Sequence, residues 1–474
     1  MLHSHLPWLL KHGTWPVGEE WLFQAYARSY LPLLEAIKGL RGRGFTNIAS
    51  IGITPVLAAQ LDDPYALDNL EIWIRNWQLR ALDIPRSHPA REDTLDTAHQ
   101  ALTNFEDSFS RGASPVIRSL VDAQAIEILG GPLAHPFTPN LLPDVHRLLL
   151  AQGLTDARRR WGFQPDGIWV PECAYRPGQE SIYAELGVEY FVVDEPAVRS
   201  AGGRPSRSYR LGTSPVSVIA RDIHISDHIW SAERGFPGRS EYRDFHDVNI
   251  ELGLQLSRVG DRSESTKDAY IPADAMRAVE RDAHEFIASL SKEFDRQVVE
   301  SPLTDPLIVI AIDTELLGHW WYEGVRWFTR VIELLPDSGI QSTTLKQVMN
   351  GSFKSIELGE SSWGAGKDWR LWTGDPVRDL SIMNHQAQHA VLQAIERGGL
   401  HPQQESELLN ELSNLLSSDW AFMISRDSAA EYSRSRASEH FRRIQAIIHN
   451  SPTTVSSSDS PQPFYLRAER TTQL

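Results

Sequence analysis

The segment LIVIAID at residues 307–313 consists of six apolar residues followed directly by a carboxylate. An apolar run that stops abruptly at a polar residue is typical of a buried β-strand. Runs of the same kind, separated by helical patterns, recur at residues 46–53, 125–129, 167–170, 190–193 and 216–220. Strands that alternate with helices form a parallel sheet with crossover helices. Because polar or charged residues follow many of these runs, the pattern favours a barrel, whose chemistry collects at the C-terminal ends of its strands.

The 474 residues are enough for about two or three packed units. We predict an α/β fold in which residues 1–340 form the barrel, with a mostly helical, tryptophan-bearing insertion at about 64–112. Beyond residue 340 the spacing is helical without a convincing strand, which predicts an all-helical C-terminal domain at 341–450 that completes the active site. Residues 451–474 are rich in Ser, Thr and Pro and are expected to be disordered.

Charge and cysteine content argue against several classes of protein. With 46 Lys and Arg against 62 Asp and Glu, the formal charge of -16 repels nucleic-acid backbones and anionic lipid surfaces. The sequence contains neither an apolar run of roughly 18 residues nor a cleavable leader. Cys173, the single cysteine, excludes an intrachain disulfide and a multi-cysteine zinc site. We therefore expect a cytoplasmic protein without nucleic-acid or membrane partners, and protein partners are not indicated.

Two carboxylates stand directly after predicted strands with aromatic residues beside them. Glu172 lies in GIWVPECAY at residues 167–175, and Asp313 lies in IDTELLGHWW at residues 312–321. A pair of carboxylates beside stacking aromatics suits glycoside chemistry, in which one group protonates the departing oxygen and the other attacks the anomeric carbon or activates water. The alternative is that both are helix caps or strand-terminal residues, as acidic residues often are.

Histidines form a second group of candidates. His3 and His5, in HSHLPW, point to the same side of an extended segment and could bind a metal or a sugar hydroxyl. The pattern identifies no further metal ligands. His135, in GGPLAHP, also follows a predicted strand, although a lone histidine at such a position is more often structural.

A cluster of tryptophans follows the barrel. Trp363, Trp369 and Trp372 have acidic residues and glycines around them instead of an apolar period. Indole faces stack on the apolar faces of sugar rings, so this segment is either a ligand platform or packing between domains.

Taken together, these segments resemble glycoside hydrolase family 57, and within it the 1,4-α-glucan branching enzymes, including their actinobacterial members. The resemblance spans about residues 1–450 and rests on five motifs in the expected order. It implies a (β/α)7 barrel with a helical insertion and an all-helical C-terminal domain. It also implies an α-1,4-glucan substrate and no metal or other cofactor.

The resemblance implies that Glu172 is the catalytic nucleophile and that Asp313 is the general acid/base. It further implies substrate contacts at His3, His5, His135, Arg221, Gly238, Trp363, Trp372 and Asp419. In a retaining enzyme the two carboxyl groups lie about 5–5.5 Å apart. We expect burial and mutual repulsion to raise one pKa, so that Asp313 holds a proton while Glu172 does not.

Two departures from the family pattern affect these expectations. The chain begins at Met1, two residues before His3, where the family has a full strand. We therefore expect the first barrel strand to be nearly absent, an open sheet edge, and poor folding unless an upstream extension supplies the strand. The segment between Glu172 and Arg221 is shorter than is common in branching enzymes, and Tyr209 is the single tyrosine of its 194–209 stretch.

Three alternatives to branching therefore stay open. The closest is an α-glucan hydrolase that uses the same carboxylates. The second is a metal-dependent polysaccharide deacetylase that uses His3, His5 and an aspartate on a related barrel. The third is a glucan-binding protein without catalysis, which the presence of both Glu172 and Asp313 argues against.

Overall fold

Seven parallel strands form a barrel in the computed structural model of the chain, which describes residues 1–14, 17–231, 234–261, 267–300, 305–349 and 354–449. The tail predicted to be disordered, 451–474, lies outside the described residues. The strands are β1 (Leu2–Ser4), β2 (Ala49–Ile53), β3 (Ile126–Leu129), β4 (Gly167–Ile168), β5 (Tyr190–Val193), β6 (Ser208–Leu211), β7 (Ser217–Ala220), β8 (Val248–Asn249), β9 (Leu254–Gln255), β10 (Ile312–Asp313) and β11 (Ser355–Ile356).

Helices follow most of these strands and also build the C-terminal part of the chain. They are α1 (Glu19–Ala25), α2 (Leu31–Gly42), α3 (Pro55–Leu61), α4 (Pro64–Leu82), α5 (Arg91–Asn104), α6 (Ser114–Asp122), α7 (Pro143–Trp161), α8 (Gln179–Glu185), α9 (Glu195–Ser200), α10 (Ile223–Trp230), α11 (Pro272–Glu300), α12 (Gly324–Leu334), α13 (Leu345–Val348), α14 (Arg370–Thr373), α15 (Arg378–Arg397), α16 (Pro402–Leu415), α17 (Ser418–Ser425) and α18 (Ala430–Ile448). A π-helical turn at Tyr26–Tyr30 joins α1 to α2.

The barrel closes through backbone hydrogen bonds between neighbouring strands. Parallel pairing gives the orders β10-β1-β2-β3 and β4-β5-β7. A bridge from Gly130 to Ile168 joins β3 to β4, and Asp222 N–H donates to Val309 O at 2.7 Å, which joins the end of β7 to the segment before β10. The seven-stranded barrel is therefore confirmed. β6 and β11 continue the sheet outside it.

The first strand is short, but it is paired on both sides. Leu2 lies opposite Ile312 of β10 and Ile51 of β2, so the expected open edge is wrong for β1. Because β1 is short, it pairs only with Ile312 and Asp313 of the apolar run at 307–313. The run therefore forms a strand only at its last two residues. A cavity of about 1150 Å³ opens at the N-terminal ends of the strands. Tyr209 lines that cavity, away from the strand ends that carry the carboxylates.

The remaining elements form two additions to the barrel. The predicted insertion at 64–112 is helical, with α4 and α5 packed against each other. The expectation of no strand beyond residue 340 is wrong, because Ser355–Ile356 pairs with β6. The helical region begins at α14, and its apolar side chains form one cluster with residues of the barrel part such as Phe137 and Leu149. None of the described helices is both long and apolar enough to cross a membrane.

Candidate active site

The C-terminal ends of the barrel strands, which we call the mouth, bring the predicted residues together. Parallel pairing of β1 with β10 sets His3 directly opposite Asp313. Asp313 is the last residue of β10 and is partly exposed at the mouth. A strand-terminal position fixes the backbone while it leaves the side chain free to face the barrel axis, which suits a reacting group.

Glu172 enters the mouth from a tight turn after β4. The turn, Pro171–Cys173, is 3₁₀-helical, but Glu172 has φ 62° and Cys173 has φ 49°. Such left-handed backbone costs about 1–3 kcal/mol per non-glycine residue and persists only where the surroundings impose it. Here the N–H of Trp363 donates to the carbonyl oxygen of Glu172 at 2.9 Å, which holds the turn.

The Glu172 carboxylate accepts two side-chain hydrogen bonds from distant parts of the chain. The indole N–H of Trp363 donates to Oε2 at 2.8 Å, and the hydroxyl of Ser418 donates to Oε1 at 2.8 Å. By contrast, no described residue donates a side-chain hydrogen bond to the Asp313 carboxyl group. Donors to a carboxylate stabilise its ionised form, so the two acids differ in environment although they share one mouth.

Burial raises the pKa of both acids. The pKa of Glu172 rises to about 7 through burial, against the effect of the hydrogen bonds from Trp363 and Ser418. The pKa of Asp313 also rises to about 7, through burial and then through the nearby charge of Glu172. We expected one raised pKa, and the structure raises two. The hydrogen bonds from Trp363 and Ser418 favour the ionised form of Glu172, whereas Asp313 has no such side-chain donor among the described residues, so this difference favours the proton on Asp313.

Three histidines stack beside the pair. The ring centroids of His5 and His135 are 4.1 Å apart, and those of His3 and His135 are 4.8 Å apart. His5 Nε2 contacts the Asp419 carboxylate at 2.7 Å, and His5 Nδ1 contacts the hydroxyl of Thr54 at 2.9 Å. Burial acts to raise the pKa of Asp419, but His5 and hydrogen bonds from its neighbours lower it below the usual value.

A chain of hydrogen bonds runs from His3 through His135 and Ser418 to Glu172, and each group donates to the next. Burial and neighbouring histidines lower the pKa values of His3 and His135 well below the ordinary value, so both rings are neutral. When Glu172 is ionised, Ser418 donates to it and therefore accepts from His135 Nδ1 at 2.9 Å. His135 Nε2 then accepts from His3 Nε2 at 2.9 Å. These tautomers are assigned from the hydrogen-bond pattern, and they make the ionised carboxylate the final acceptor.

The same group includes possible metal ligands. One ligand atom from each of His5, His135 and Asp419 lies within 4.8 Å of the others. Both ring nitrogens of His5 and of His135 already have protein partners. The hydrogen bonds therefore satisfy these rings without an ion.

A buried ion pair supports Trp363. The guanidinium group of Arg221 lies 5.2 Å from the centroid of the Trp363 ring, and its Nε donates to the Asp194 carboxylate at 2.7 Å. Arg221 is 4% exposed, so it contacts the tryptophan from the interior side.

Comparison with known proteins agrees with this geometry. Residues 1–358 match glycosyl hydrolase family 57. The chain belongs to glycosyl hydrolase family 57. Residues 383–460 match the C-terminal region of 1,4-α-glucan branching enzymes. A probable 1,4-α-glucan branching enzyme of Mycobacterium tuberculosis is 41% identical over 485 aligned residues, which cover 94% of this chain and 90% of the relative.

Two solved structures resemble nearly the whole chain. The crystal structure of a family 57 branching enzyme from Thermococcus kodakaraensis is 30% identical with a TM-score of 0.88, covering 94% of this chain and 88% of that one. The crystal structure of the α-amylase AmyC from Thermotoga maritima is 25% identical with a TM-score of 0.82, covering 98% and 94%. Structures named as a branching enzyme and as an α-amylase therefore share this fold.

Several of the predicted substrate contacts lie in the interior or away from the two carboxylates. Trp372 is 3% exposed and stacks on Phe137 of the barrel part, with centroids 4.7 Å apart, so it packs between the barrel and the helical region. Gly238 lies on an exposed turn, and among the described residues no hydrogen bond or ring contact connects it to the carboxylates. His3, His135 and Arg221 are buried, and they contact His135, Ser418 and Trp363 respectively.

Sequence reasoning missed several residues that shape the site. Ser418 and Thr54 carry hydroxyls, which no short pattern marks as functional. Asp194 and Lys367 form an ion pair at 2.9 Å beneath the Trp363 segment. Of these four residues, the sequence marks only Asp194, because it directly follows an apolar run, as Asp313 does.

Proposed function

We propose that this chain is a 1,4-α-glucan branching enzyme, a retaining transglycosylase of glycogen-type α-glucan synthesis in the cytoplasm. It acts without metal or cofactor, cleaving an α-1,4 linkage and transferring the segment to a 6-hydroxyl. The observation that carries the proposal is the pair Glu172 and Asp313 in one mouth, with two donors on Glu172 and none from the described residues on Asp313. The single buried cysteine, Cys173, suits a reducing compartment.

In the first half-reaction Asp313 protonates the glycosidic oxygen while Glu172 attacks the anomeric carbon. The C1–O bond to the leaving chain breaks, and an ester forms between C1 and the Glu172 carboxylate. Trp363 and Ser418 hold that carboxylate ionised and aimed before the attack. His5, Asp419 and the ring of Trp363 are the proposed contacts to the sugar.

In the second half-reaction Asp313, now ionised, takes the proton of a glucan 6-hydroxyl as its oxygen attacks C1 and releases Glu172. Water can perform the same step and yields hydrolysis instead. A wall that excludes water favours transfer, because a bound acceptor has a high effective concentration. The half-buried indole of Trp363, which contacts the Glu172 carboxylate directly, is the proposed part of such a wall.

Incubation with amylose tests this proposal. Transfer conserves reducing ends, whereas each hydrolysis creates one, so new α-1,6 linkages and new reducing ends are counted in the same samples. We expect α-1,6 linkages in clear excess over reducing ends. Reducing ends without α-1,6 linkages would instead support an α-glucan hydrolase, the candidate favoured by the likeness to the Thermotoga amylase and by the short segment after Glu172.

A further inference from the structure

Residues 361–367, which we call the Trp363 loop, are attached at both ends to one buried residue, Asp194, through its backbone at one end and its side chain at the other. Asp194 follows β5 directly and is 1% exposed. Its backbone N–H donates to Ser361 Oγ at 3.1 Å at the start of the loop. Its carboxylate forms an ion pair with Lys367 Nζ at 2.9 Å at the end of the loop. Trp363 therefore lies between two attachments to the same residue.

Lys367 is held in a backbone conformation that is unfavourable for it. Its φ is 56°, and the φ of the preceding Gly366 is 80°. Non-glycine residues keep left-handed backbone only where surrounding contacts impose it. The Lys367 ammonium supplies two such contacts, since it also donates to the carbonyl oxygen of Trp363 at 3.3 Å.

The Asp194 carboxylate contacts two cations, Arg221 and Lys367. Arg221, the second cation on Asp194, lies beneath the Trp363 ring, whereas Lys367 reaches Asp194 from the loop itself with 34% of its side chain exposed. Loss of Lys367 therefore leaves Arg221 beneath the indole ring. We expect the loss of Lys367 to remove the attachment at the end of the loop, while the hydrogen bonds of Ser361 and Trp363 remain.

We propose that Lys367 is a positioning residue, which holds the Trp363 loop closed over Glu172 and so favours a glucan hydroxyl over water in the second half-reaction. The inference rests on the proposed transglycosylase function. In either reaction the ester bond from C1 to Glu172 breaks, a new C1–O bond forms and Asp313 takes the proton. The two outcomes therefore differ only in whether water or a glucan hydroxyl reaches C1 of the ester. The Trp363 loop controls that access.

Amide hydrogen exchange tests the attachment directly. In Lys367→Met the peptide covering residues 361–369 should exchange about tenfold faster than in the parent, because the closed loop is less populated. Lys367→Arg should keep the parent rate, since it restores the cation. Lys346→Met is the matched control, because Lys346 also forms an ion pair, with Asp166 at 2.6 Å, and is 61% exposed. Lys367→Gln repeats the test if the Met variant does not fold.

Product partition on amylose tests the consequence. The ratio of new reducing ends to α-1,6 linkages should rise about fivefold in Lys367→Met. The reason is that the bound glucan acceptor then competes less well with water for the ester. Lys367→Arg should recover the parent ratio, and Lys346→Met should not change it. If Lys367 acts through Asp194, adding Lys367→Met to Asp194→Asn should change the ratio no further.

The outcomes separate the two proposals. Parent-like exchange in Lys367→Met and Lys367→Gln would overturn the role of Lys367. Faster exchange with an unchanged ratio would overturn its control of water access. A parent enzyme that forms no α-1,6 linkages contradicts the proposed function and the partition role with it, whereas the exchange rates still decide whether Lys367 holds the loop.

Discussion

The barrel wall and the helical wall of the site supply different kinds of group. The barrel wall, at the ends of β4 and β10, carries both carboxyl groups, Glu172 and Asp313. The helical wall, formed by the Trp363 loop and the start of α17, carries the donors Trp363 and Ser418. In the proposed mechanism the reacting carboxyl groups thus belong to the barrel, while the proton distribution between them depends on donors from the helical wall. Substitutions on the barrel wall should abolish reaction steps, and those on the helical wall should tune them.

The largest effect is expected for Glu172→Gln on the barrel wall. Without a carboxylate no glycosyl ester forms, so transfer and hydrolysis should both fall by roughly a thousandfold or more. Both are measured on amylose, with thermal unfolding as a check on the fold. Glu189→Gln, on an exposed glutamate outside the site, is the matched control. Turnover within tenfold of the parent would exclude Glu172 as nucleophile.

Asp313→Asn should have a large effect that depends on the substrate. General acid catalysis contributes roughly 10²–10⁴-fold, and only poor leaving groups need it in the first step. Amylose turnover should therefore fall far more than turnover of an activated aryl glucoside. Azide should rescue the activated substrate, because it needs no general base. Equal losses on both substrates would argue against the acid/base role.

The two walls also differ in how far sequence can predict them. Glu172 and Asp313 each follow an apolar run within a few residues, so a local pattern reveals both. Their environment depends on contacts across long separations, such as Ser418 with Glu172 and Lys367 with Asp194, which no periodicity records.

The fold shows the same division between local and distant information. All six apolar runs found in the sequence contain barrel strands, although the segment at 307–313 contributes only Ile312–Asp313 because its neighbour β1 has three residues. The two-residue strand Ser355–Ile356 was missed, since two residues are too few to establish an alternation.

Trp363 and Trp372, nine residues apart, allow a functional tryptophan to be compared with a packing tryptophan. Trp363→Phe keeps an aromatic ring but removes the donor to Glu172, and a hydrogen bond to a charged group contributes about 1.5–3 kcal/mol, so turnover should fall about tenfold or more. Trp372→Phe should instead lower the melting temperature by several degrees through looser packing on Phe137, with little change in turnover per folded molecule. The reverse pattern would make Trp372 the functional residue of the two.

A smaller effect on pH dependence is expected at Ser418. Glu172 must be ionised and Asp313 protonated, and both pKa values lie at about 7, so kcat/KM should be bell-shaped around neutral pH. Ser418→Ala removes a donor that favours ionised Glu172, which raises its pKa. The acid limb should therefore move to higher pH by roughly one unit.

Ser425→Ala is the matched control for this shift. Ser425 ends the same helix, and its hydroxyl donates to the carbonyl oxygen of Leu371, remote from the carboxylates. Its pH profile should coincide with that of the parent. An acid limb that stays in place in Ser418→Ala would show that the Ser418 hydroxyl does not stabilise the reacting carboxylate.

The smallest expected effect is that of a chelator on the cluster of His5, His135 and Asp419, which belongs to both walls. These groups lie close enough to hold an ion, but both ring nitrogens of each histidine have protein partners, and an ion would have to displace the bonds to Asp419 or Ser418. Displacing the Ser418 bond would also disturb a donor to Glu172. Dialysis against EDTA should therefore leave amylose turnover within about twofold of the untreated enzyme, and added Zn²⁺ should not raise it. If EDTA abolished activity and a stoichiometric metal restored it, the metal-free mechanism would be contradicted. The helical wall would then help to bind a catalytic ion instead of tuning the carboxylates.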